Sequence, residues 1–288
     1  MRLHFLSGGR LRMRRDIYYP GAAPEERFEL PVSCALLKHA QGNVLFDTGC
    51  HPGAADDGEA RWGRMVKFMT PIYRAEDAVV GQLSKAGLGA DDIDLVVCSH
   101  LHADHCLDMT SLMVALRYGP DRPQARIPVI GPNDTEQRIT AAWDADTADL
   151  RLRELFDFHL PVSGNLGPFK VEFAPMNHPV PTFAVRMTLG GRSLVYSGDT
   201  GECDALVRLA EGADTLLAEA TLGPRDPYVP NLHMTGAQTG QHAARAGVQR
   251  LIVTHIPPWR SRDAAAAEAA ATFDGVVVAA SPGAEFEI

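Results

Sequence analysis

A layered α/β fold is the class this sequence predicts, on three observations. Short apolar, β-branched runs recur from the first residues to the last. Segments with helical spacing alternate with them, as in folds where helices cover a sheet. A length of 288 residues with 45% hydrophobic content is enough for a large core. No Ser/Gly-rich linker or abrupt charge run divides the chain, so a single domain over residues 1–288 is expected.

Residues 2–6 read as the first strand, and residues 8–20, with four arginines and Tyr18-Tyr19, as a long loop. Residues 32–38 and 43–46 are strands joined by the polar turn 39–42, a hairpin pattern. Residues 49–63, rich in Gly, Ala and Asp, read as another loop. Residues 62–72 carry Trp62, Met65, Phe68 and Met69, a cluster suited to core packing, a pocket wall or a dimer contact. Residues 76–86 have helical spacing through Val79, Val80 and Leu83, with Gly87 as the stop. The run 94–98 is a buried strand, 127–130 a short one, and 109–116 and 134–143 are helices. Strands follow at 169–173, 183–189 and 193–196, with Gly190-Gly191 making the tight turn between the last two. Residues 205–210 are helical, and the strand 215–218 ends at Glu219. Thr235 caps a helix running through Ala246, and Gly247 terminates it. A strand at 251–253, an Ala-rich helix at 264–271 and a final strand at 276–279 complete the pattern.

The chemistry is concentrated in Ser99-His100-Leu101-His102-Ala103-Asp104-His105, directly after the strand 94–98. Three imidazoles and a carboxylate fall within six residues. Such nitrogen and oxygen donors suit zinc, and manganese or iron less exclusively. At this spacing the four groups do not all converge on one open catalytic ion. Two neighbouring divalent ions are the natural reading, His100 and His102 on one, Asp104 and His105 on the other. Cys106, next in the chain, reads as a plain buried thiol rather than an extra ligand.

This motif resembles the signature of the metallo-β-lactamase superfamily of metal-dependent hydrolases. The resemblance implies an αββα sandwich, two sheets facing each other with helices outside and the ligands on loops at one edge. It implies three later ligands, each after a strand. The candidates are His178 in Asn177-His178, Asp199 in Ser197-Gly198-Asp199-Thr200 and His255 in Thr254-His255. His100, His102 and His178 would then hold the first ion, Asp104, His105 and His255 the second, and Asp199 would bridge them. Phe46-Asp47-Thr48-Gly49 also matches a family motif, in which the aspartate braces the metal loop.

The two halves resemble different branches. Gly8-Gly9-Arg10-Leu11-Arg12-Met13, Phe28-Glu29-Leu30-Pro31-Val32-Ser33, residues 43–49 and Phe68-Met69-Thr70-Pro71 are similar to the N-acyl-homoserine lactonases. Those lactonases commonly place a tyrosine three residues after the bridging aspartate, where this chain has Glu202. From about His100 onward the chain looks like the tRNase Z and cyclic-nucleotide phosphodiesterase branch. Leu217-Ala218-Glu219-Ala220-Thr221 resembles its glutamate motif, His233-Met234-Thr235 its H-x-T motif, and Thr254-His255-Ile256-Pro257-Pro258-Trp259 its bacterial phosphodiesterases. The pattern is that of a chimera joined near residues 99–106. Only residues 223–232 lie between the glutamate motif and the H-x-T motif, so the long arm of the tRNA enzymes is missing and a tRNA substrate is not expected.

The reading that follows is a dinuclear hydrolase of a small phosphodiester, a cyclic nucleotide included, acting through a metal-bridging hydroxide. Asp104, Glu219 and His233 are the candidate catalytic residues. His233 would protonate the leaving oxygen, with Glu219 holding its other nitrogen. The alternative is a lactonase or related esterase, with Met65, Phe68 and Met69 against an acyl chain. A more remote one is a noncatalytic binding protein on the same fold.

A formal net charge of -9 argues against a polyanion-binding surface, so a small-molecule substrate is expected and a stable nucleic-acid partner is not. The start is too short and polar for a signal peptide, and no apolar run approaches a membrane span. Five cysteines without a C-x-x-C pair fit free thiols in a cytoplasmic protein, and the resemblance of the first half to the lactonases implies a homodimer through residues 62–72. His4, His39, His51, His159 and His242 read as structural or surface residues.

Overall fold

In the computed structural model the described residues are all but 18–22, 51–52, 54–55, 58, 60–65, 68, 120–122, 124, 144–151 and 227–228. Tyr18, Tyr19, His51, Trp62, Met65 and Phe68 therefore lie outside them, as does the side chain of Met69, and with them the pocket-wall and dimer readings of residues 62–72. The chain forms two compact units, His4–Leu160 and Pro161–Ile288, the latter joined by Met1–Leu3. Strands and helices alternate in both, as the α/β reading requires.

In the unit His4–Leu160 the strands are β1 (Arg2–Arg14), β2 (Arg27–Lys38), β3 (Val44–Phe46), β4 (Met69–Ile72), β5 (Leu95–Val97), β6 (Ile127–Ile130) and β7 (Phe156–His159). They run in the order β1-β2-β3-β5-β6-β7, with β4 paired to β1. The β2–β3 hairpin is antiparallel, and β3, β5, β6 and β7 are parallel neighbours. The helices are α1 (Val79–Lys85), α2 (Ala103–Cys106), α3 (Met109–Tyr118), α4 (Thr135–Trp143) and α5 (Leu152–Leu155). Leu83, Leu112, Leu116 and Ile139 from the helices close over Leu36, Val96 and Val129 in a buried apolar cluster.

The first strand departs from the sequence reading. Residues 8–14 continue it where a loop is expected, because Leu11 and Met13 are buried between exposed Arg10 and Arg12, a period of two. The glycines that suggest a break instead permit close approach. A Cβ on Gly8 would stand 2.7 Å from Val32 Cγ1, and one on Gly9 2.6 Å from the Tyr73 ring. The expected apolar cluster likewise ends in a strand, with Arg10 opposite Ile72 and Met13 opposite Met69. The helix expected over 76–86 is shorter, a 3-10 turn at Ala75–Asp77 preceding α1.

In the second unit the strands are β8 (Gly164–Leu166), β9 (Phe169–Pro175), β10 (Phe183–Leu189), β11 (Arg192–Tyr196), β12 (Thr215–Glu219), β13 (Arg250–Thr254), β14 (Val276–Ala279) and β15 (Glu285–Glu287). A sheet in the order β14-β13-β12-β11-β10-β9-β8 combines an antiparallel meander, β8 to β11, with a parallel half, β11 to β14. The parallel half needs crossovers, and α6 (Asp204–Ala210), α7 (Gly236–Ala246) and α8 (Arg262–Ala270) supply them. Leu206, Ala243, Ala246 and Ala269 bury one face of those helices with Leu216 and Leu251. Gly190 and Gly191, at φ 61° and 79°, make the expected β10–β11 turn. Thr235 caps α7 in a reciprocal box with Gln238, a device that contributes about 1 kcal/mol. Gly247 ends that helix at φ 64°. The final strand is β15, beyond the expected one, and Ile288 N–H donates to Met1 O at 2.9 Å. Strands β7 and β8 are also unexpected from sequence: both are short, and β8 is largely exposed.

The topology fixes where chemistry can collect. Asp47 follows β3, the segment 99–105 follows β5, Asp199 follows β11, Glu219 ends β12 and His255 follows β13. All are at the carboxyl ends of parallel strands, where an α/β sheet leaves its loops free to bind.

Candidate metal-dependent active site

In the first unit, the segment 99–105 hangs from β5 and enters α2. Its brace is Asp47, fully buried and at φ 55°, a left-handed conformation uncommon outside glycine. The Asp47 carboxylate accepts from Ser99 N–H and Ser99 Oγ, both at 2.8 Å, and from His105 Nδ1 at 2.9 Å. Thr48 N–H donates to His105 O at 2.7 Å, stitching the same two loops through backbone. With Nδ1 engaged, His105 presents Nε2, which lies 3.7 Å from Asp104 Oδ2. Ser99 Oγ lies 3.0 Å from His100 Nδ1, and His100 Nε2 lies 3.0 Å from His102 Nδ1, so these two imidazoles converge at their ring nitrogens. Cys106 is buried with Sγ 3.5 Å from His102 O, and burial pushes its thiol up to about 12, as befits a protonated thiol.

The second unit brings together residues far apart in sequence. Asp199, His233 and His255 each offer a ligand atom, and the three atoms lie within 4.8 Å of one another. His255 Nε2 is 3.5 Å from Asp199 Oδ2. The sequence reading places His233 as an acid beside the metals; here it stands among the ligand candidates themselves. His178 donates from Nδ1 to Leu232 O at 3.1 Å, and burial lowers its basicity, which favours the neutral ring a metal needs.

Glu219 is the hub of this unit. It is 1% exposed, and its carboxylate accepts from Thr200 N–H at 2.6 Å, His233 Nδ1 at 2.9 Å, Thr221 Oγ1 at 2.7 Å and Met234 N–H at 3.3 Å. The loop after β9 is tied to the loop after β11 by Asn177, which donates to Thr200 Oγ1 from its backbone and to Glu202 O from Nδ2. Gly201 N–H returns a bond to Asn177 O at 2.8 Å, and a Cβ on Gly201 would stand 2.9 Å from Asn231 Cα. The Glu202 carboxylate accepts from Gln238 Nε2 at 2.8 Å, at the start of α7.

His105, His178, His233 and His255 all have Nδ1 engaged, by Asp47, Leu232 O, Glu219 and Thr221 respectively, and so offer Nε2. With Asp104 in the first unit and Asp199 in the second, each unit taken by itself offers nitrogen and oxygen donors of the kind that hold a divalent ion such as zinc. Thr221 is part of the glutamate motif but has no role assigned from sequence, and the Leu232 carbonyl is not singled out there. Thr221 had one signal: in extended chain it falls on the same side as Glu219, two residues back. A carbonyl carries none. Of the histidines read as structural, His242 is buried, linking Gln238 O to Cys203 N–H, and exposed His159 pairs with Asp157. His39 Nδ1 accepts from Gln41 N–H, and His4 is buried.

Residues 43–256 match the family described as the Beta-lactamase superfamily domain. The Mycobacterium leprae protein ML1173 is 44% identical over 198 residues, covering 67% of this chain and 70% of its own. The Bacillus subtilis protein YhfI, described as a probable metallo-hydrolase, is 29% identical over 82% of this chain and 96% of its own. Its crystal structure superposes with a TM-score of 0.71 at 23% identity, covering 99% of both chains. A ribonuclease Z of Thermobifida fusca is 30% identical, covering 69% of this chain and 79% of its own.

Proposed function

Because this chain belongs to the metallo-β-lactamase superfamily, we propose that it is a dinuclear metal-dependent hydrolase of a small phosphodiester, with a cyclic nucleotide as the candidate substrate. His100, His102 and His178 would hold one ion and Asp104, His105 and His255 the other, with Asp199 shared. Such ions polarise a phosphoryl oxygen and make water acidic enough to attack near neutral pH.

The observation that carries the phosphodiester reading is the buried pair His233–Glu219, 2.9 Å apart and beside Asp199 and His255. A phosphodiester needs its departing alkoxide protonated. With the Nδ1 proton held by Glu219, the proton available for transfer is on Nε2, and the ring returns to its neutral Nδ1–H form. The position at which lactonases commonly carry a tyrosine is Glu202, whose carboxylate is engaged by Gln238. Relatives named a metallo-hydrolase and a ribonuclease Z support the hydrolase class.

The test is parallel turnover of a cyclic nucleotide, a bis-aryl phosphodiester and an N-acyl-homoserine lactone by the zinc-loaded full chain. Phosphodiester cleavage is expected. Lactone opening without any phosphodiester cleavage would overturn the reading.

A further inference from the structure

We propose that Thr221 is a positioning residue that sets the tautomer of His255, coupling that imidazole to the same carboxylate that orients His233. Thr221 Oγ1 has one hydrogen and three close partners: Glu219 Oε2 at 2.7 Å, His255 Nδ1 at 2.7 Å and His255 O at 3.0 Å. A carboxylate oxygen and a carbonyl oxygen only accept. The hydroxyl hydrogen therefore goes to the carboxylate, the nearer of the two oxygens and the charged one. His255 Nδ1, at the same 2.7 Å, must then supply its own hydrogen to the hydroxyl oxygen. That leaves His255 Nε2 as the lone-pair nitrogen, and it is the nitrogen 3.5 Å from Asp199 Oδ2.

Three features make the assignment specific. Thr221 is 2% exposed and Glu219 1%, so water does not compete for these bonds. Glu219 receives its other donors from Thr200, His233 and Met234, which leaves the Thr221 hydroxyl as its link to His255 among the described bonds. His255 sits at φ 55°, a conformation that surrounding contacts must hold, and Thr221 touches both its ring and its carbonyl. One carboxylate thus fixes two imidazoles, His233 directly and His255 through a hydroxyl.

The proposal rests on the reading of His255 as a metal ligand, and its test is built to fail separately from that reading. Nitrogen-15 spectra of the metal-free full chain at pH 8, with the His255 signals assigned by their loss in His255→Asn, report the tautomer directly. Wild type and Thr221→Ser are expected to show His255 protonated at Nδ1. Thr221→Val, equal in size but without the hydroxyl, is expected to show a mixture of tautomers. His233 should stay Nδ1–H in all three. Zinc affinity by chelator competition should fall about tenfold to a hundredfold in Thr221→Val and recover in Thr221→Ser. Finding His255 protonated at Nε2 in the wild-type protein overturns the proposal without recourse to any variant. So does a Thr221→Val protein with an unchanged tautomer and unchanged zinc affinity. Neither result depends on which substrate is turned over.

Discussion

The two units solve the same problem by different means. In His4–Leu160 the candidate ligands lie on one short segment, and Asp47 takes three donors from Ser99 and His105. In Pro161–Ile288 the candidates hang on separate loops after β9, β11 and β13 and ahead of α7. There a buried glutamate gathers four donors, from Thr200, Thr221, His233 and Met234. Both units rely on a buried carboxylate; where the candidates are contiguous it holds one segment, and where they are dispersed it must tie several together.

The largest effect expected from breaking this comparison is at Asp199. Asp199→Ala removes the carboxylate proposed to be shared by both ions, and it should lower metal content and abolish turnover. Elemental analysis with an activity assay checks this; full metal content at near-normal rate would refute the assignment.

Next is His233→Ala, which should slow phosphodiester hydrolysis by about 10²–10⁴-fold. The loss should shrink for an aryl ester, whose leaving group needs little protonation, with metal content retained. An equal loss on every substrate would make His233 structural.

Asp47→Ala sharpens the contrast between brace and hub. It removes the acceptor of Ser99 N–H and His105 Nδ1, at a cost of roughly 1–3 kcal/mol each, and should weaken zinc binding about tenfold to a hundredfold. Urea unfolding and chelator competition measure the two effects. Unchanged values in both would mean that the loop holds its shape unaided.

The smallest effect is a pH dependence in the first unit. Asp108 is buried, accepting from Tyr73 Oη at 2.6 Å and from Val79 N–H, and burial raises its carboxyl to about 7. The unfolded value is near 4. A carboxyl raised on folding contributes stability that is fully present below the unfolded value and is lost as pH rises through about 7. Between pH 4.5 and 8 the unfolding free energy of wild type relative to Asp108→Asn should therefore fall, by about 1–4 kcal/mol. Parallel slopes in urea titrations at those pH values would remove Asp108 as the cause.

Much of this was legible in the sequence, and unevenly so between the units. The alternation of apolar runs, the motif at 99–105, the cap at Thr235 and the Gly190-Gly191 turn all rest on short-range chemistry, which sequence spacing reports. The extension of β1 was hidden because Gly8 and Gly9 signal a break by composition, while their use is close approach to Val32 and Tyr73. The Asp47 brace was reached only through resemblance. The Thr221–His255 contact, the Leu232 carbonyl and the Glu202–Gln238 bond depend on chain segments meeting from a distance, which no local pattern encodes.

The contact between Gly201 and Asn231 has a mechanical consequence. Gly201 adjoins the Asp199 loop, while Asn231 immediately precedes Leu232, whose carbonyl steadies His178, and His233. The gap between the two backbones is too narrow for even a methyl group, since a Cβ at 201 would come within 2.9 Å of Asn231 Cα. One atom added at a position that does no chemistry would push on two imidazoles at once. At this contact the second unit has no slack, and its tolerance for change depends on a glycine as well as on its reactive groups.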